Sequence, residues 1–248
     1  MFSKLLTPKW IFTTLLVLAA IGVLARLGIW QLDRLELRRA FNAHYVEVMQ
    51  MPPLEIRTAP AEDLSTMEYR AATVTGVYDY EHQVALRNRY NDLVFGYHLL
   101  TPLILSDGSA ILVDRGWIPA SGNETPADWR KYDQPGEQTI SGILRLGGEP
   151  EMGGVPDPEL AKGQIRLEFW NNVNLARIQS QIPTPLLPVF LQPDQPANNS
   201  QPPIIPARPE IEITEGPHFG YALQWFTFAA MLFLGYPFFL RKQLSEGK

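Results

Sequence analysis

Residues 219–240 read FGYALQWFTFAAMLFLGYPFFL, a run without a formal charge, and His218 stands immediately before it. A helix that crosses the hydrocarbon core needs about 20 largely apolar residues at 1.5 Å rise each. The run is therefore read as a transmembrane helix with a metal-competent imidazole at its entrance. That position is where a membrane cofactor would be met.

The other end of the chain mirrors it. Residues 10–30 read WIFTTLLVLAAIGVLARLGIW, interrupted only by Arg26. A guanidinium near a helix end can snorkel to the interface, so one charge does not cancel the span, and Trp10 and Trp30 bracket it as interfacial aromatics do. Val23-Leu24-Ala25 could pass for a signal-peptide cleavage site, but the apolar stretch is long for such a signal and the residues before it are only weakly basic. The uncleaved anchor is the preferred reading. Arg241, Lys242 and Lys248 follow the second span, whereas Glu210, Glu212 and Glu215 precede it. The positive-inside rule then places residues 241–248 in the cytoplasm and, with two spans, residues 1–9 there as well. Residues 31–218 are expected on the periplasmic side of a cell inner membrane, or its organellar equivalent.

The remaining length suits one domain with its own core. A net charge of −5 without a basic tract argues against nucleic acid as a partner. The chain has no cysteine, which removes disulfides, CxxC redox pairs, cysteine zinc sites and dithiol copper carriers.

Between the spans, residues 31–50 place Leu32, Leu35, Phe41, Tyr45 and Val48 at helical spacing, so the first span is expected to continue as a stalk helix until Met51-Pro52-Pro53. Alternating, β-branched segments at 69–78, 83–88, 94–105, 110–118, 138–146, 165–170, 189–192 and 211–214 read as strands. Ser106-Asp107-Gly108 makes a hairpin of the third and fourth. Residues 122–136 read as an exposed loop, and Asn174 suits the N-cap of a short helix over 175–181. Residues 193–209 form a proline-rich excursion. The expected fold class is an α+β membrane protein in which two transmembrane helices flank one mainly β extracytoplasmic domain.

No nucleophile elbow, Walker A loop, HExxH or GxGxxG motif is present. The four histidines, His44, His82, His98 and His218, include no pair spaced as zinc ligands on one helix. A non-enzyme is expected. Residues seven apart on a helix nearly eclipse, so His218, Tyr221, Ala222 and Trp225 share a side. That side could hold a flat hydrophobic macrocycle with the imidazole as axial ligand, or simply belong to the aromatic belt. On the first helix, Arg26, Trp30 and Arg34 form a stripe of cation, indole and cation, able to meet carboxylates or headgroups, or to stack on itself. In the domain, Asn88-Arg89 and Asp114-Arg115-Gly116-Trp117 are the segments least explained by strand propensity. They are candidates for an interaction patch or a buried ion pair.

In order and spacing these fragments resemble the SURF1 family of cytochrome c oxidase assembly proteins. The resemblance covers nearly the whole chain: Gly28-x-Trp30-Gln31-x-x-Arg34, Gly76-x-Tyr78, Asn88-Arg89, Gly96-Tyr97-His98, Val113 to Pro119, Gly142-x-x-Arg145 and His218-x-x-Tyr221-Ala222-x-Gln224-Trp225-Phe226. Two departures stand out, Asp114 where asparagine is expected and the richness in proline of 193–209. The resemblance implies a carrier or chaperone that helps to deliver haem a, held transiently, to oxidase subunit I. It implies His218 as the iron ligand, Tyr221, Trp225 and Trp30 beside the macrocycle, and Arg34 at a propionate. The implied partners are oxidase subunit I, haem a synthase and the lipid bilayer. The competing expectation is a scaffold that stabilises an oxidase intermediate without binding haem, through Asn88, Arg89, Arg115 and Trp117.

Overall fold

The computed structural model describes residues 7–148, 154–194, 204–205 and 211–246. They form two units, one made of residues up to Tyr45 with those from Ile211 onward, the other of Val46–Glu210.

The first unit is a pair of antiparallel helices. Helix α1 spans Pro8–Gln50, 43 residues, and at 1.5 Å per residue is about 65 Å long, twice the thickness of a hydrocarbon core. It therefore continues well past the segment that a bilayer can cover. Its end follows from the chain: Pro52 and Pro53 lack the amide that a further turn needs, and Met51 N closes on Val48 O at 3.2 Å. The partner helix, His218–Glu246, contains Pro237.

Burial on α1 recurs at Thr14, Ile21, Gly28, Leu35 and Asn42, with Trp10, Val17, Leu24, Gln31 and Arg38 between them, all half-buried or buried. This alternating spacing of three and four is the seam of a heptad repeat. The contacts agree: Trp10 meets Phe239 with ring centroids 6.3 Å apart, and Thr14 Oγ1 lies 2.7 Å from Tyr236 Oη. At Gly28 an added Cβ would sit 2.7 Å from the Phe226 ring, so glycine is what allows that ring against the backbone. Ala222 and Ala229 are buried on the second helix, the small residues that membrane helix pairs use for close approach. Large apolar side chains turn the other way, Phe12, Leu15, Phe233 and Phe238 being more than half exposed. Each helix carries a stretch long and apolar enough to cross a membrane, only 6% of it buried. A core helix of a soluble protein would hide that surface, whereas a bilayer covers it.

The second unit is an eight-stranded sheet. Its strands are β1 (Leu54–Ile56), β2 (Ala71–Tyr78), β3 (Val84–Asn91), β4 (Val94–Ile104), β5 (Ala110–Pro119), β6 (Glu137–Leu146), β7 (Phe169–Trp170) and β8 (Leu186–Pro193). They follow the order β1-β2-β6-β8-β5-β4-β3-β7, and β2 also pairs with β4. That last pairing, Val77 with Ile104 and Tyr78 with Leu103, closes β2, β6, β8, β5 and β4 into a ring. Closure demands close approach: a Cβ on Gly76 would lie 2.3 Å from the carbonyl oxygen of Ile104.

Strand alternation sorts the core. Val74, Leu103, Ile111, Val113 and Leu144 belong to one apolar cluster, while Leu112 and Leu100 join Trp170, Ile178 and Phe190 in another. Two short helices, α2 (Pro126–Trp129) and α3 (Leu175–Gln179), contribute to the outer clusters through Trp129 and Ile178. Strand β5 is thus buried along nearly its whole length. The second long helix is α4.

Three sequence expectations change. Residues 165–170 yield only the two-residue β7. Residues 122–136 contain α2, whose start is fixed by a capping box between Thr125 and Asp128. Residues 211–214 alternate like a strand but form none, because the carbonyls of Glu212 and Thr214 accept hydrogen bonds from Arg38 and Asn42 of α1 instead. Most of the proline-rich excursion lies outside the described residues.

Candidate functional site

The chain enters α4 through Gly216 and Pro217. Gly216 has φ +65, a left-handed turn that glycine makes without strain. A Cβ there would sit 3.4 Å from His218 Cδ2 and 3.5 Å from Nε2, ordinary contact distances, so Gly216 lies beside that edge of the ring. Tyr221 N donates to Pro217 O at 3.1 Å and closes the first turn.

The other edge of the imidazole is occupied. His218 Nδ1 lies 2.8 Å from Gln31 Oε1 of α1. A carbonyl oxygen only accepts, so with the amide in this orientation Nδ1 carries the proton and Nε2 presents its lone pair. About two turns further along α1, Arg39 grips Glu215 with two bonds, Nε to Oε1 at 2.8 Å and Nη2 to Oε2 at 2.9 Å. That hydrogen bond holds the Glu215 carboxyl below the usual carboxylate range and raises the Arg39 guanidinium.

The other candidates on the helix pair distribute around this junction. Ala222 is buried within the pair, so the middle of the side shared by His218 and Trp225 is closed by packing, and a flat ligand would approach from its flank. Tyr221 is 48% exposed on that flank. Trp225 is half-buried and meets Phe228 edge-on, 6.2 Å between centroids. Trp30 is exposed with Arg34 stacked over it at 5.6 Å, while Arg26 pairs with Asp33 at 3.8 Å, both exposed. The stripe of cation, indole and cation is therefore stacked only between Trp30 and Arg34.

Such a junction offers one imidazole nitrogen without a hydrogen-bond partner among the described residues. It could ligate a metal held mainly by a macrocycle, and it cannot by itself hold a bare ion. Among the described residues no group of three or more histidine, aspartate or glutamate side chains could hold a metal ion, and no cysteine exists in the chain.

The candidates in the β domain have a different character. Arg115 is 2% exposed and lies over the rings of Tyr78 at 5.0 Å and Tyr80 at 5.2 Å. It donates to Gln83 Oε1 at 3.0 Å and to the carbonyl of Tyr132. Burial pushes the Tyr78 phenol up, against the opposing charge of Arg115. Trp117 is 7% exposed, pairs with Ile205 as a β-bridge and donates from Nε1 to Arg89 O at 3.4 Å. Arg115 and Trp117 thus serve the sheet and do not present their side chains as a patch. Arg89 is half-buried, and desolvation lowers its guanidinium against the pull of Asp114. Asp114 accepts from Gly116 N at 3.0 Å and faces His98 Nδ1 at 3.0 Å. Asn88 alone of the four is exposed, at φ 62 where β3 bulges against β4. Beside it opens a cavity of about 460 Å³ lined by Arg87, Asn88, Phe95, Tyr97 and Asn171 among others.

Sequence reasoning missed Gln31 as a partner of His218, and the pairing of His98 with Asp114. The heptad spacing through Gln31 was the available signal for the first. The second depends on strand register, which local patterns do not reveal.

Comparison with known proteins bears on the whole of this architecture. A family model described as the SURF1 family matches residues 18–230. The chain is 25% identical over 254 residues to a SURF1-like protein of Dictyostelium discoideum, covering 87% of this chain and 92% of that one. It is 27% identical over 242 residues to a SURF1-like protein of Mycobacterium tuberculosis (95% and 84%). It is also 25% identical over 238 residues to one of Rickettsia bellii (95% and 93%).

Proposed function

The chain belongs to the SURF1 family, and from that premise we propose that it is a membrane-bound assembly factor of haem-copper cytochrome c oxidase that carries haem a toward subunit I. The observation that supports the haem reading is the His218 ring, with Nδ1 engaged by Gln31 and Nε2 beside Gly216 without a hydrogen-bond partner among the described residues. When bound, haem would supply an iron that an imidazole can ligate. The chain's residues would do the rest: His218 would ligate through Nε2, Tyr221, Trp225 and Trp30 would offer the macrocycle aromatic contact, and Arg34 would be the cation for a propionate. A carrier has to hold and release, which needs neither nucleophile nor general acid. Haem a synthase is the matching donor. In this reading both termini are cytoplasmic and the β domain is extracytoplasmic, following the lysine and arginine bias at the chain ends.

The test is an absorption spectrum and extracted-pigment assay of the full chain purified from cells that make haem a. Haem a at one per chain, lost in His218→Ala together with oxidase activity, is expected. A colourless wild-type protein that still restores oxidase assembly would overturn the carrier.

The scaffold reading is the second. It is favoured by the surface near Asn88, where the β3–β4 turn exposes Tyr90, Leu93 and Val94, with Leu93 96% exposed. If the scaffold is right, His218→Ala assembles oxidase normally and Leu93→Asp does not.

A further inference from the structure

Gln31 and His218 stand 187 residues apart in the chain and meet at 2.8 Å. Both are only half-buried, yet their contact lies on the heptad seam of α1, between Gly28 and Leu35, where the backbone of each helix is held by its neighbours. A glutamine at such a position loses apolar packing that a leucine would supply, so its presence calls for a polar task. The ring offers one: a neutral imidazole has two tautomers, and an acceptor fixed at Nδ1 selects the one with its lone pair on Nε2. Metal-ligating histidines characteristically donate their second N–H to such an acceptor, which orients the ring and raises its basicity. The other edge of the ring lies beside Gly216, and among the described residues Nε2 has no hydrogen-bond partner.

The geometry points to Gln31 as the positioning residue for His218, acting through Nδ1 to set the ring orientation and donor strength of Nε2 toward haem iron. The inference rests on the reading of His218 as the ligand. It adds that the site is built from both helices, so that ligand strength depends on their pairing. The competing role for Gln31 is a plain tether between helices, indifferent to what Nε2 does.

The experiment uses the full chain in detergent, reconstituted with haem a, as wild type, Gln31→Leu, Gln31→Glu and His218→Ala. Three quantities are read: haem affinity, the iron–histidine stretch of the ferrous form by resonance Raman, and the midpoint potential. Helix content on heating monitors the pairing itself. Gln31→Leu removes the acceptor and is expected to weaken affinity roughly 10- to 100-fold and lower the iron–histidine stretch. Gln31→Glu substitutes a stronger acceptor and is expected to raise the stretch, lower the potential and retain affinity. If His218→Ala loses the pigment but both Gln31 variants match wild type in stretch and potential, the positioning role falls and the ligand stands. If Gln31→Leu and Gln31→Glu lose haem and helix pairing alike, Gln31 is a tether and the inference is overturned. If His218→Ala retains haem with the stretch unchanged, the ligand reading and the inference fall together.

Discussion

Arg115 illustrates how a residue chosen from sequence for its oddness turns out to hold the fold. A buried guanidinium between two tyrosine rings, bonded to Gln83 and the Tyr132 carbonyl, leaves acceptors unpaired when it is removed. Arg115→Ala is expected to cost about 3 kcal/mol of stability, read as a lower urea midpoint of tryptophan fluorescence, with oxidase assembly falling in step with protein abundance. Asp114, where asparagine was expected, makes a sharper test. Asp114→Asn keeps an acceptor for Gly116 N and should change stability by less than about 1 kcal/mol, whereas Asp114→Leu orphans both that amide and His98 and should cost about 2 to 4 kcal/mol. A destabilised Asp114→Asn would show that the charge itself matters. At this scale, sequence could single out His218, Arg115 and Trp117 as unusual. It could not tell that the last two point inward, because Asp114, Arg115 and Gly116 interrupt the apolar run of a strand that is covered on each side.

Among the elements, the strands and the two long helices were legible because their periodicities are strong. Residues 94–105 and 110–118 announce a hairpin through the turn at Asp107-Gly108, and β4 and β5 pair through most of their length. Ring closure was not legible, since β2 meets β4 over two residue pairs whose registers are far apart in sequence. Gly76→Val at that crossing is expected to lower stability by about 3 kcal/mol and loosen amide protection at the ends of β2 and β4, which hydrogen exchange would report. Helix α2, also missed, is too short for any periodicity and is set by its cap. The Thr125 hydroxyl donates to Asp128 Oδ2 at 2.8 Å and holds that carboxyl below its usual range. A folded value below the unfolded one stabilises fully above the unfolded value of about 4 and is lost as pH falls through the folded one. Asp128→Asn should therefore be less stable than wild type at pH 7, with the difference shrinking as pH falls below about 4; a difference in urea midpoint independent of pH would refute the assignment.

For the molecule as a whole, two spans and a β domain followed from hydropathy and alternation, while the partner of each helix face did not, because a sequence states spacing and leaves contacts to the fold. Sidedness is open to a direct experiment. Since the chain contains no cysteine, single cysteines at Ser109 and Gln243 can be labelled in intact cells, and the expected outcome is labelling of the first alone by a membrane-impermeant maleimide. The heptad seam of α1 and α4 has a consequence of another kind. A helix turns by about 100° per residue, so the length of α1 acts as a phase. One residue inserted after Leu32 would swing Leu35, Arg38 and Asn42 out of line with the Gly28 and Gln31 contacts. Seven inserted residues would bring them back to nearly the same azimuth, about 10 Å further along. Register, rather than reach, is what such a rod transmits from the bilayer outward.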